Sequence, residues 1–178
     1  AEFQSAQIGR QVRARLYKED LHTRQRDVIR EQPDCAIHHA TLSLDDRDLT
    51  YSRDCGLKRS LVTELDNLEI LVEPIESGTR SSNGMSAGRR VLYQNEKPSK
   101  VQSKRRIAII LSEFDRRGNR TDRQITDWDY RNRRATISKG GDLAAWQTNS
   151  TTNGGKDDIL ILDLNSSDAK PTRITRSP

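Results

Sequence analysis

The chain has few aromatic residues and no long apolar run. Only two Trp, four Tyr and two Phe occur among its 178 residues. The longest apolar stretch, "IAIIL" at 107–111, is much shorter than the roughly 20 apolar residues of a membrane-spanning helix. Leu, Ile, Val and Phe make up about a fifth of the chain, just above the range typical of charged disordered chains. We therefore expect one soluble domain over residues 1–178, without a membrane span, with a thin core and long polar loops.

Cysteine is also scarce, and the two cysteines enclose an unusual stretch, "DCAIHHATLSLDDRDLTYSRDC". Zinc could be held by Cys35, His38 or His39, and Cys55, but the paired C-x-x-C half typical of zinc sites is missing. A disulfide would close a loop of about twenty residues and stabilise the fold by about 3 kcal/mol in an oxidising compartment. Two free thiols in a reducing cell are the third interpretation. A bridged pair would indicate secretion and free thiols a cytoplasmic protein, and the N-terminal "AEF" shows no secretory signal.

One short motif suggests an enzyme. "GMSAG" at 84–88 has the form G-x-S-x-G and resembles the nucleophile elbow of serine hydrolases of the α/β-hydrolase family. That resemblance implies a nucleophilic Ser86 on a tight turn between a strand and a helix, with the catalytic histidine later in the chain. All three histidines precede Ser86, and its surroundings are rich in glycine and serine. We therefore expect a flexible loop here and no enzymatic activity.

Motifs for cofactors and metals are incomplete. "NGGK" at 153–156 lacks the earlier glycine and the following Ser or Thr of a phosphate-binding loop. The acidic groups at 45–48 and 127–129 lack the glycine and spaced ligands of a calcium loop. The sequence therefore predicts neither a cofactor nor a metal site.

Apolar spacing divides the chain into two halves. Ile8, Val12 and Leu16 recur every four residues, which predicts amphipathic helices between Ser5 and Gln32, and a second helical pattern runs from Leu57 to Leu68. Beyond Leu68, short apolar runs alternate with glycine-rich turns, which is typical of antiparallel hairpins. The predicted strands are "LEILV", "VLY", "RIAIILSEF", "QITDWDY", "ATIS" and "DILILDL". The expected fold class is α+β, with N-terminal helices followed by a mainly antiparallel, strand-rich half and no internal repeat.

Positive charge is concentrated in one segment. Residues 77–106 carry a net charge of +7, whereas the other 148 residues sum to −2. Because this segment is rich in glycine and serine, we interpret it as a mobile arm that can lie along a phosphate backbone. Its candidate nucleic-acid-binding residues are Arg80, Arg89, Arg90, Lys97, Lys100, Lys104, Arg105 and Arg106.

Two aromatic residues could add a stacking surface. If "QITDWDY" forms a strand, Trp128 and Tyr130 share one of its faces, and arginines border it on both sides. Aromatic rings flanked by arginines are the components of a platform for single-stranded nucleic acid. The alternative is that both rings simply pack in the core.

These patterns favour a non-enzymatic binding or assembly module that holds a polyanion, with nucleic acid as the expected partner. The alternative is a secreted or surface interaction domain with one disulfide and N-linked glycans. Asn119, Asn149 and Asn165 each begin an N-x-S/T acceptor sequence, which supports that alternative.

Overall fold

The computed structural model describes residues 13–20, 22–43, 48–55, 58–65, 68–75, 79–97, 106–149 and 157–175. Every regular element in these ranges is a β-strand, and the strands form four antiparallel sheets. No helix in the described part of the chain is long and apolar enough to cross a membrane. The fold is therefore all-β.

Each sheet is a meander of strands that are consecutive in the chain. Sheet A is a hairpin of β1 (Arg13–Glu19) and β2 (Arg26–Pro33). Sheet B contains β3 (Ala36–Leu42), β4 (Leu49–Cys55), β5 (Lys58–Leu65) and β6 (Leu68–Val72). Sheet C contains β7 (Arg80–Ala87), β8 (Arg90–Lys97), β9 (Arg106–Phe114) and β10 (Arg120–Gln124). Sheet D contains β11 (Asn132–Ile137), β12 (Leu143–Thr148), β13 (Asp158–Asp163) and β14 (Thr172–Arg173).

The four sheets stack face to face in chain order, and each interface has its own apolar cluster. Between sheets A and B the cluster contains Ala14, Leu16, Ile29, Ile37, Leu49, Tyr51 and Val62. Between sheets B and C it contains Leu61, Leu65, Val72, Val91, Tyr93, Ala108, Ile110 and Phe114. Between sheets C and D it contains Ala87, Leu92, Ile109, Leu111, Ile137, Ala144, Trp146, Leu162 and Leu164. The limited apolar content thus fills three thin layers rather than one large core.

The predicted α+β class with N-terminal helices is wrong. Residues 13–33 form the β1–β2 hairpin, in which Leu16 and Ile29 face sheet B while Tyr17 and Val28 on the opposite face are 47% and 51% exposed. This alternation between the two faces is the period of a strand. Ile8 and Val12, on which the helix prediction also rested, lie outside the described residues.

The second predicted helix is also a strand. In β5, Leu61 points into the layer between sheets B and C, and its neighbour Val62 points into the layer between sheets A and B. Both side chains are fully buried. A strand covered on both faces carries consecutive apolar residues, and such a short run cannot be distinguished from a buried helix by its period.

The strand-rich half was predicted more accurately. "LEILV" is β6, "RIAIILSEF" is β9, and "VLY", "ATIS" and "DILILDL" overlap β8, β11 and β13. The turns after β9 and β11 contain Gly118 and Gly141, both with positive φ. "QITDWDY" is the exception, because β10 ends at Gln124 and most of this stretch belongs to the connection between β10 and β11.

The expected Gly/Ser-rich arm contains a hairpin. Residues 80–97 form β7 and β8, and Ser81, Ser82 and Ser86 are almost completely buried. Small side chains suit β7 because it lies against three strands of sheet B, β3, β4 and β5. In this segment, small residues serve close packing between sheets.

Candidate anion-binding site

Three strand irregularities occur at matching positions in three sheets. The first strands of sheets B, C and D are β3, β7 and β11, and each shifts register in the middle of its pairing. His39, Asn83 and Arg134 lie in these irregularities with φ of 50°, 50° and 54°. A left-handed conformation costs a non-glycine residue about 1 kcal/mol or more. Bulges redirect side chains and are common next to functional sites.

The three irregularities border a single cavity of about 660 Å³. Each contributes three consecutive residues to the lining: 39–41 from β3, 83–85 from β7 and 134–136 from β11. The middle residue of each triplet is small, namely Ala40, Gly84 and Ala135. Gln94, Glu96, Ile107, Arg131 and Arg133 complete the lining. The site is therefore assembled from residues that are far apart in the sequence.

The lining carries more positive than negative charge. Three arginines, Arg131, Arg133 and Arg134, face one carboxylate, Glu96. Arg133 is neutralised by Asp157, whose Oδ2 lies 2.6 Å from Nη2 of Arg133. Neither Arg131 nor Arg134 forms an ion pair with another residue that the structure describes. Their guanidinium groups give the cavity its positive potential.

Three polar atoms of the lining residues are buried without a hydrogen-bond partner among the described residues. They are Oδ1 of Asn83, Nε of Arg131 and Nε of Arg133. The amide nitrogen of Asn83 donates to Oε1 of Gln94 over 3.2 Å, which leaves the Asn83 oxygen as an unused acceptor. Buried polar groups are nearly always paired, so unpaired ones at a cavity are typical of places where a ligand or water completes the bonding. The chemistry of the lining suits a ligand that has both an anionic group and a donor.

The basic residues predicted to bind nucleic acid are divided between the two ends of the β7–β8 hairpin. Arg80, Lys97 and Arg106 lie at one end, where Arg80 is opposite Glu96 and Lys97 is opposite Arg106. This end adjoins the cavity, because Ile107 forms a bridge with Arg131. Lys100, Lys104 and Arg105 lie outside the described residues.

The other end of the hairpin uses its arginines internally. Nη1 of Arg89 donates to the carbonyl of Asp115 over 2.8 Å. Arg90 pairs with Glu113 at 2.8 Å and donates to the carbonyl of Gly141 at 2.7 Å. Since the eight-residue strands span about 25 Å, Arg89 and Arg90 lie about that distance from Arg80 and Lys97.

Trp128 and Tyr130 do not belong to a strand. Both lie in the connection between β10 and β11, so alternation along a strand does not place them on one face. Trp128 packs against the apolar layer between sheets B and C, and the ammonium group of Lys97 lies 4.2 Å from its ring centre. Tyr130 is 44% exposed. Trp128 therefore has a packing role in addition to any contact with a ligand.

Ser86 does not have the geometry of a nucleophile elbow. It lies inside β7 rather than on a turn, and it is 2% exposed. The turn comes at Gly88, whose φ of 55° begins the connection to β8. An elbow serine must project into a cleft to reach its substrate, and Ser86 is covered by packed sheets.

The cysteines form a disulfide. Cys35 and Cys55 are bonded with their Cα atoms 4.4 Å apart, and the bond joins the two ends of the β3–β4 hairpin. Both sulfurs are therefore occupied, and the interpretation as zinc ligands or as free thiols is wrong. Because structural disulfides persist in oxidising compartments, the bond points to such an environment.

Most of the cavity was not predictable from the sequence. The "RNRR" run at 131–134 was visible only as charge around two aromatic residues, and nothing in the sequence linked it to His39 or Asn83. The signal that could have connected them is the recurrence of four-stranded meanders. Sheets B, C and D begin at Ala36, Arg80 and Asn132, and these spacings of 44 and 52 residues are similar to the repeat lengths of β-propellers.

Four-stranded antiparallel sheets that stack face to face in chain order resemble the blades of a propeller. Propellers are built from four-stranded antiparallel sheets around a central channel. Here the most extensive contacts of sheets C and D with the preceding sheet are made by their first strands, and the same first strands line the cavity. No protein-family model matches the chain, and no curated protein is significantly similar to it.

Proposed function

We propose that this protein is a non-enzymatic binding module that receives an anionic group of its partner in the cavity bordered by β3, β7 and β11. The observation that carries the proposal is the convergence of three bulged strands on a cavity with two arginines that have no counter-ion among the described residues. A guanidinium group donates two parallel hydrogen bonds to a carboxylate or phosphate. Arg131 and Arg134 are the residues that would hold the anion.

Nucleic acid is the polyanion that we propose as partner. Arg80, Lys97 and Arg106 lie at the end of the hairpin that adjoins the cavity, so one phosphate can enter the cavity while neighbouring phosphates contact these side chains. Each contact with a phosphate releases counterions, so binding should weaken steeply with salt.

Fluorescence anisotropy with labelled single- and double-stranded oligonucleotides, each at two salt concentrations, tests this proposal. We expect Arg131→Gln and Arg134→Gln each to weaken binding by about tenfold, the value for one lost charge-assisted hydrogen bond. Arg116→Gln is the matched control, because Arg116 is an exposed arginine in the β9–β10 turn, away from the cavity. No binding at low salt, or equal losses in all three variants, would refute nucleic-acid binding at this site. Binding of polyglutamate without binding of oligonucleotides would retain the anion site and replace the partner with an acidic protein.

The disulfide supports a second candidate function, that of a secreted or surface interaction domain with N-linked glycans. Asn119 is exposed in the turn after β9, and Asn165 is exposed after β13. Both are accessible positions for an N-linked glycan, whereas Asn149 is only half exposed. Intact mass after expression in a eukaryotic secretory host tests this function. Added hexose mass that disappears after Asn119→Gln and Asn165→Gln would support it, and an unmodified mass would refute it.

A further inference from the structure

Sheets B, C and D share one pattern on their second and third strands. The second strand of each sheet carries a large aromatic residue, and the three residues, Tyr51, Tyr93 and Trp146, are 0%, 0% and 2% exposed. Each aromatic side chain points into the layer shared with the preceding sheet. Their partners across the strands are Val62, Ile110 and Leu160. The three sheets can therefore be compared position by position.

The residues next to these partners in each third strand point to the opposite face of the sheet, which in sheets B and C packs against the following sheet. In sheet B this face includes Leu61 and Thr63, and in sheet C it includes Ile109 and Leu111. All four residues are 0% exposed because the next sheet covers them.

The equivalent face of sheet D is open, and it carries four apolar residues beside Gln147 and Asp163. Ile159 and Ile161 occupy the positions of Ile109 and Leu111, and Ile159 is 44% exposed. Leu143 on the neighbouring strand is 41% exposed, and Ala145 lies opposite Ile161. We call these four residues, Leu143, Ala145, Ile159 and Ile161, the open face. Leu143 and Ile159 are exposed and Ala145 and Ile161 are half-buried, and contiguous apolar residues on an open face are typical of an interaction surface.

We propose that the open face is covered by one further four-stranded antiparallel sheet of the same repeat. Sheet D covers the corresponding face of sheet C through Ala144, Trp146 and Leu162. A sheet that presents an aromatic residue at the equivalent position of its second strand would cover Ile159 and Ile161 in the same way. The interface between sheets C and D therefore supplies the geometry of the proposed interface.

A second copy of this chain is a poorer cover for the open face. At the opposite end of the stack the described residues offer only the two strands of sheet A, with Tyr17 and Val28 exposed on its outer side. The contacts between sheets C and D are made chiefly by β11, the first strand of a four-stranded sheet. In the described part of the chain, sheet A has only two strands and no buried aromatic residue. This inference is independent of the proposed anionic ligand.

Thiol labelling of an extended chain tests the proposal. The two native cysteines are joined, so a new cysteine in Ile159→Cys reacts alone with a maleimide. In the extended protein, a second copy of residues 126–178 is appended after Pro178 of the full chain. We expect this extension to slow labelling at position 159 by at least about tenfold, since burial protects the thiol. Labelling of Lys139→Cys, in the exposed turn after β11, should not change.

A matched extension shows whether the aromatic residue is responsible. The same protein with Trp146→Ser in the appended copy only should label at position 159 as rapidly as the unextended chain. Rapid labelling with the intact extension would overturn the proposal. Slow labelling of the unextended chain that depends on protein concentration, together with a dimer in sedimentation, would overturn it in favour of a second copy of this chain. Leu143→Cys provides an independent reporter of the same face.

Discussion

Gly84 of β7 lies directly against Leu61 of β5. A Cβ atom at position 84 would come within 2.9 Å of Cδ2 of Leu61 and within 2.9 Å of Cγ2 of Thr50. Leu61 and Thr50 are fully buried and cannot move aside easily. The absence of a side chain at this position lets sheets B and C approach each other beside the cavity.

We therefore expect Gly84→Ala to destabilise the protein by about 1 to 3 kcal/mol, the usual cost of overpacking a well-packed interface. The urea midpoint of unfolding measures this change. Gly140→Ala is the control, because its new Cβ would meet only the side chain of Asp142, at 3.3 Å, on an exposed turn. A midpoint for Gly84→Ala that matches the control would show that the sheets can separate without cost.

Removal of the disulfide should lower stability. The bond between Cys35 and Cys55 closes a loop with a sequence separation of 20 residues. Constraint of the unfolded chain by such a loop stabilises the fold by about 3 kcal/mol. Urea unfolding of the Cys35→Ala/Cys55→Ala variant should show this loss, and reductant should reproduce it in the parent protein only. Identical midpoints with and without reductant would contradict the prediction.

Tyr51 should titrate at unusually high pH. Burial raises the pKa of its hydroxyl to about 12, and the nearby carboxylates Glu69 and Glu64 add to the effect. The hydroxyl also donates to Oε2 of Glu69 at 3.2 Å. The difference in ultraviolet absorbance between the parent protein and Tyr51→Phe should show a phenolate transition near this value. A transition near the usual pKa of tyrosine, about 10, would contradict the assignment.

The same shift predicts how stability depends on pH. The folded state holds the Tyr51 proton more tightly than the unfolded chain, so stability falls once the unfolded tyrosine begins to ionise. The contribution is fully present below pH about 10 and is lost as the pH rises toward about 12. Urea midpoints across this interval should fall more steeply for the parent protein than for Tyr51→Phe.

Asp158 and Arg173 form a charge pair whose carboxylate is completely buried. Oδ2 of Asp158 lies 2.7 Å from Nη2 of Arg173, and the Asp158 side chain has no exposure. Arg173→Met would leave a buried carboxylate without this cation. We expect a loss of about 3 kcal/mol, and partial recovery in the double variant with Asp158→Asn. A double-mutant cycle from urea unfolding measures the coupling, and additive losses would show that the pair does not interact.

Local structure in the second half of the chain was predictable because its signals act over short distances. Glycine supplies the positive φ of the turns at Gly118 and Gly141, and the apolar run at 107–111 lies within the central strand β9. Antiparallel pairing follows when short strands are joined by such turns. The sequence was less informative before Leu68, where Leu61 and Val62 are buried on opposite faces and mimic a helical run.

The disulfide was only partly predictable from the sequence. The sequence left three interpretations of Cys35 and Cys55, namely zinc ligands, a disulfide or two free thiols. Only the pairing of β3 with β4 brought their Cα atoms within bonding range. The positive charge of residues 77–106 was also evident from the sequence. The β7–β8 hairpin determined which of its basic side chains form ion pairs and hydrogen bonds within the fold. Arg90 is held by Glu113 and Gly141, whereas Arg80 and Arg106 remain exposed near the cavity.

The amino-acid sequence by itself determined β6, β9 and parts of β8, β11 and β13, the turns at Gly118 and Gly141, and the location of the positive charge, because each depends on neighbouring residues. Only the tertiary structure decided the cavity and the open face. His39, Asn83 and Arg134 meet because three separate sheets stack with their first strands together. Whether an apolar strand residue such as Ile109 or Ile159 is buried depends on the presence of a following sheet. Stacking is a relation between distant segments, and no local pattern of residues encodes it.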